Sequence, residues 1–74
     1  MMKTYVVASF DAFEGEICLK QIRAENPQQA YIKALNLIED EFSPCWSSYT
    51  KEMIENALIE CDMSVAITEI KNLI

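Results

Sequence analysis

Asn26-Pro27-Gln28-Gln29 is a helix start, and it divides the chain into two kinds of sequence. Asn26 is a good N-cap, Pro27 suits the first helical position, and Gln29 can reach back to close a capping box. The residues before it read as strand. Lys3–Phe10 (KTYVVASF) is rich in Tyr, Val and Phe, and Glu16–Ala24 (EICLKQIRA) reads as a returning strand. Between them Asp11-Ala12-Phe13-Glu14-Gly15 supplies a turn, with the only glycine of the chain where a positive φ is needed. The returning strand changes phase: Ile17 and Leu19 share one face, whereas Ile22 and Ala24 fall on the other. A β-bulge near Lys20-Gln21 would restore a single buried face, and twisting at the sheet edge is the alternative.

After the cap, apolar residues recur at helical spacing. The first helix is expected from Pro27 to about Glu41, with Ala30, Tyr31, Ala34, Leu35, Leu37, Ile38 and Phe42 inside an arc of roughly 160°. Pro44 disfavours helix at Ser43 and ends it. A second helix is expected from Ser48–Thr50 to about Cys61, with Met53, Ile54, Ala57, Leu58 and Cys61 as its apolar stripe and Glu52 favouring the dipole in its first turn. Met63–Ile70 reads as a third strand, with Val65 and Ile67 inward. The fold class is therefore α+β in the order ββααβ: one domain over residues 1–74, a three-stranded, mainly antiparallel sheet with two antiparallel helices on one face. The other sheet face is expected to be half polar, with Ser9, Cys18, Lys20 and Thr68 solvated.

A chain of 74 residues buries only about 60% of its unfolded surface. Its 51% of apolar residues is above average and leaves a surplus for contact with other molecules. No segment resembles a signal peptide or reaches the roughly 18 apolar residues of a membrane span, so a cytoplasmic protein is expected. Cys18, Cys45 and Cys61 are odd in number and contain no C-x-x-C, which reads as three reduced, mostly buried thiols.

The composition argues against catalysis. The chain has no histidine, so neither a Ser-His-Asp nor a Cys-His arrangement can form within it. Gly15 stands alone, so no phosphate loop exists. Glu39-Asp40-Glu41 resembles a metal cluster, but on a helix successive side chains diverge by about 100° and would not converge on one ion. No enzyme, metal or cofactor is expected.

Charge separates the two halves. Residues 1–37 hold four acids and four bases, whereas residues 38–74 hold eight acids against Lys51 and Lys71, which accounts for the net −6. Six scattered bases against twelve acids oppose direct nucleic-acid binding. An acidic half fits a partner protein with a basic surface. The candidate contact residues are Glu39, Asp40, Glu52, Glu55, Glu60 and Asp62, together with three apolar residues. Ile32 and Ile59 project from otherwise polar helix faces, and Trp46 sits in the loop between helices, where it either caps the core or anchors a partner. Ile32, Trp46, Ile59, Leu73 and Ile74 are an apolar surplus that a homodimer about a two-fold axis could bury.

In size, in the ββααβ order, in the strand-to-helix unit Ile22-Arg23-Ala24-Glu25-Asn26-Pro27-Gln28-Gln29-Ala30-Tyr31 and in the acid-rich half, the chain resembles the small acidic proteins that bacteriophages and mobile elements encode to bind host machinery, anti-CRISPR proteins among them. The resemblance implies a non-enzymatic inhibitor that occludes a partner's site, sometimes by mimicking nucleic-acid charge, and it assigns no role to any single residue. The expected function is a protein-binding module or inhibitor that covers a basic surface of a partner protein, such as one that binds nucleic acid. A homodimeric structural or assembly component is the alternative.

Overall fold

The computed structural model describes residues 2–71, so the expectations placed on Leu73 and Ile74 lie outside the described residues. Strands β1 (Lys3–Asp11) and β2 (Glu16–Ala24) form a hairpin, followed by helix α1 (Pro27–Leu35), a 3₁₀ turn (Trp46–Ser48), helix α2 (Lys51–Ile59) and strand β3 (Met63–Ile70). The sheet is antiparallel throughout in the order β2-β1-β3, so the first strand is central and both others are edges. Sheet and helices make two layers, and the molecule is only 17 Å thick along its shortest axis.

The hairpin closes where the glycine sits. Gly15 has φ +73° and donates its N–H to Asp11 O at 2.7 Å, while the Asp11 carboxylate accepts from Phe13 N at 2.9 Å. Helix α1 begins as its sequence dictates: Asn26 Oδ1 accepts from Gln29 N at 2.8 Å, and Gln29 Oε1 accepts from Glu25 N at 3.3 Å. Helix α2 starts on Thr50, whose hydroxyl accepts from Met53 N at 3.2 Å.

The first helix is shorter than its apolar spacing suggests. It ends at Asn36, which adopts the left-handed conformation (φ 53°, ψ 48°), and Leu37 N then donates to Ile32 O at 3.0 Å. That is a Schellman-type closure, with Asn36 in the role that glycine usually takes. Ile32 and Leu37, which this closure brings together, both pack half-buried on the core. Ile32 is therefore not an apolar residue on a polar face. Residues 37–45 form a loop, which leaves Ile38 and Phe42 in solvent, Phe42 at 90% exposure, and not in the core as expected.

The core comprises Tyr5, Val7, Ala24, Ala30, Tyr31, Ala34, Trp46, Ile54 and Leu58. Val65 and Ile67 pack half-buried against it, as their register predicts. Fully burying a residue such as Val7 or Ile54 contributes about 1.5–3 kcal/mol. Trp46 is 9% exposed and packs edge-on against Tyr49 with ring centroids 5.5 Å apart, so it closes one end of the core. Two members of the expected α2 stripe, Met53 and Cys61, lie in solvent. All three cysteines are exposed, contrary to expectation. Cys45 lies in the inter-helix loop, Cys61 in the turn after α2, and Cys18 on β2 beside the open cleft at the end of α1.

Candidate interaction surface

The β1–β2 ladder is continuous from Lys3↔Ala24 to Asp11↔Glu16, one residue opposite one residue throughout. The expected bulge near Lys20-Gln21 is absent, and the phase change is real. Ile22 and Ala24 face the helices, whereas Ile17 and Leu19 face away from them. They are 75% and 69% exposed. Cross-strand pairing sets Ile17 against Phe10, itself 40% exposed, and Leu19 against Ala8. On the other side Ala8 pairs with Ala66 and Phe10 with Ser64, so small residues floor a shallow depression of about 260 Å³ beside the larger ones. Among the outward positions of the three strands Arg23 alone is charged. This face is thus a near-neutral apolar surface on a chain of net charge −6.

The short first helix explains why the hydrophobic pattern of β2 is not forced inward. Because α1 stops at Leu35, the inner face at the hairpin end has no cover, and Ser9, Cys18 and Lys20 occupy it. These three were expected on the opposite, solvated face, where only Thr68 lies. Lys20 reaches under the helix end and donates to Ala34 O at 3.0 Å, a cation on the negative end of the helix. The cleft beneath, lined by Val7, Ser9, Cys18, Lys20 and residues 34–36, holds about 210 Å³. Small-molecule sites run from about 300 to 1,000 Å³, so this cleft is too small to suggest one.

The residues nominated from sequence do not gather into one site. Glu55 is committed to the fold: its carboxylate accepts from the Tyr31 hydroxyl and pairs with Lys51 at 3.1 Å. Desolvation pushes the Glu55 pKa up, but the Tyr31 hydrogen bond and Lys51 outweigh it and hold the carboxyl below its usual range. Burial raises the Tyr31 phenol well above its usual range, and Glu55 adds to the rise. Glu39 is in the loop and not on a helix. Its Oε1 accepts from Ser47 N at 2.6 Å, and that backbone bond lowers its pKa. Asp40 Oδ1 accepts from Phe42 N at 2.8 Å. The geometric argument against a Glu39-Asp40-Glu41 metal cluster therefore does not apply, because these residues are not helical, but two of the three carboxylates are turned onto loop amides.

Trp46 belongs to the core, and Ile32 packs half-buried against it. What remains exposed of the nominated set is Glu39, Asp40, Glu52, Ile59, Glu60 and Asp62, the first two with their carboxylates bonded to loop amides. Glu52 and Ile59, seven residues apart, lie on one face of α2, and Ile59 is 58% exposed. Sequence reasoning did not nominate Phe10, Ile17 and Leu19. Their signal was the phase change in β2, which distributes apolar residues to both faces of one strand. No protein-family model, curated protein or solved structure matches this chain. Among the described residues no helix is long and apolar enough to cross a membrane.

Proposed function

We propose that this chain is a non-enzymatic protein-interaction module that acts by covering a partner's surface, and that its contact surface is the outward sheet face around Phe10, Ile17 and Leu19. The exposure of Ile17 and Leu19 on an unbroken strand carries this reading. Two large aliphatic side chains left in water gain about 1.5–3 kcal/mol each when another molecule buries them, and no element among the described residues buries them. The lack of histidine and the small cleft volumes support a role without catalysis. A cytoplasmic inhibitor of the phage-encoded kind remains the biological form of this reading.

A second reading rests on Ile59. It is an exposed apolar residue at the C-terminal end of α2, with Glu52 two turns before it on the same face and Glu60 next to it, which suits a partner with a basic surface. Capture with tagged protein separates the two. Wild type is compared with Ile17→Lys plus Leu19→Lys, and with Ile59→Lys plus Glu60→Lys, and untagged copies of this chain count as a bound protein. The sheet reading expects binding to survive the helix changes and to vanish with the sheet changes. The reverse pattern transfers the site to α2.

A further inference from the structure

The backbone of β2 adds a directional feature to this face. Ala12 N donates to Asp62 O at 2.9 Å, in register with the β1–β3 pairs. Even-numbered residues of β1 therefore turn their backbone groups toward β3, and odd-numbered ones toward β2. Their β2 partners are even-numbered, so the N–H and C=O groups of Ile17, Leu19, Gln21 and Arg23 point to the open edge. The Arg23 end is covered, since Lys33 Nζ donates to Arg23 O at 3.2 Å. Ile17 to Gln21 is left as a straight segment without proline, glycine or bulge, exposed along its whole length. Such an edge is a template for another strand.

We infer that the occupant is a second copy of this chain, paired antiparallel through β2 about a two-fold axis at Cys18. The inference rests on the reading of the sheet surface as the contact surface. The side chains of this segment are complementary to themselves in one register. With Cys18 opposite Cys18 of the second copy, Ile17 meets Leu19 of the second copy on the outward face, and Glu16 meets Lys20 of the second copy on the inward face. The axis repeats each pair. Ile17 and Leu19 are then a hydrogen-bonded pair, as their edge-facing backbones require. Sliding the strands to full overlap would set Lys20 against Lys20 and bring the Lys33-covered end into the pairing. The result is a six-stranded sheet whose two apolar faces join at the seam, with the acidic helical layers to either side of it.

The test combines mass and cross-linking. Light scattering of reduced protein from low to high micromolar is expected to show a monomer–dimer equilibrium. Glu16→Lys and Lys20→Glu should each weaken it about tenfold, since each opposes like charges twice, and the double exchange should restore it. In a Cys45→Ser, Cys61→Ser background, diamide should oxidise the paired Cys18 thiols to an inter-chain disulfide. Directly opposite residues of a non-hydrogen-bonded pair have Cα atoms about 4.5 Å apart, within disulfide reach. Monomer at every concentration overturns the inference, and if the sheet variant still loses a different bound protein, the contact-surface reading stands without it. A dimer that is lost with Ile17→Lys plus Leu19→Lys but does not cross-link through Cys18 overturns edge pairing and leaves the sheet-surface reading in place. Charge variants that stay folded by circular dichroism and dimerise as wild type overturn the register.

Discussion

The Tyr31 hydroxyl donates to Glu55 Oε2 at 2.5 Å and joins α1 to α2 across the helical layer. Tyr31 is completely buried, so its hydroxyl needs a partner inside the protein, and Glu55 provides it from the edge of the interior. Hydrogen bonds to charged groups contribute about 1.5–3 kcal/mol, near the low end here because Glu55 keeps its pairing with Lys51. Tyr31→Phe is therefore expected to lower stability by about 1.5 kcal/mol in urea titration. Glu55→Ala should cost at least as much, because it strands a buried phenol. A double-mutant cycle should give a coupling energy clearly different from zero, whereas a partner-binding role for Glu55 alone would leave stability untouched.

The same pair sets a pH dependence on both sides of neutrality. The Glu55 carboxyl titrates below its usual range in the folded chain, so its contribution is present above the unfolded value and is lost as pH falls through the folded one. Tyr31 titrates above its ordinary value of 10.0, so its contribution is intact below that pH and is lost as pH rises beyond it. Stability measured by urea titration should fall in acid for wild type and fall less steeply for Glu55→Gln. Above the ordinary tyrosine range it should fall for wild type and less for Tyr31→Phe.

Asn36 ends α1 in a conformation that few residues accept. At φ 53° a β-branched side chain meets the following carbonyl, at a cost of about 1–2 kcal/mol. Asn36→Val should therefore destabilise the chain by about that amount, and Asn36→Gly should be neutral or slightly stabilising. Thermal melts monitored by circular dichroism would show both. If Asn36→Val melts like wild type, the turn is not fixed by this residue and the length of α1 has another cause.

The elements whose ends carry specific chemistry could be read from the sequence. Glu16–Ala24 and Met63–Ile70 lie where their patterns put them, and Asn26-Pro27-Gln28-Gln29 starts α1 as expected. The end of α1 could not, because its apolar spacing runs on through Ile38 and Phe42 while asparagine, not glycine, takes the left-handed position. That one turn decides much of the rest. It packs Ile32 half-buried against the core, expels Phe42, strips the cover from Cys18 and Lys20, and removes the reason to bury Ile17 and Leu19. A bulge in β2 would be needed only if the helices covered the whole inner face of the sheet, and they do not. The local roles of the acids were hidden for a different reason: Glu39 and Asp40 accept from backbone amides and Glu55 from a buried phenol, which no count of charges reveals.

Ile17 and Leu19 test whether the outward face serves contact or stability. At 75% and 69% exposure neither side chain contributes to the core, and threonine at both sites keeps strand propensity. The double change Ile17→Thr plus Leu19→Thr should shift stability by no more than about 0.5 kcal/mol, as for other surface substitutions. Ile54→Ala, at a position with no exposure, should cost about 2–5 kcal/mol. Urea titration is the measurement, carried out at low protein concentration so that any association does not add to the folding free energy. A loss for the double variant comparable to that of Ile54→Ala would place Ile17 and Leu19 in the core and remove the contact surface. Unchanged stability with lost association would show that two large aliphatic residues are held in water for contact with another molecule and not for folding.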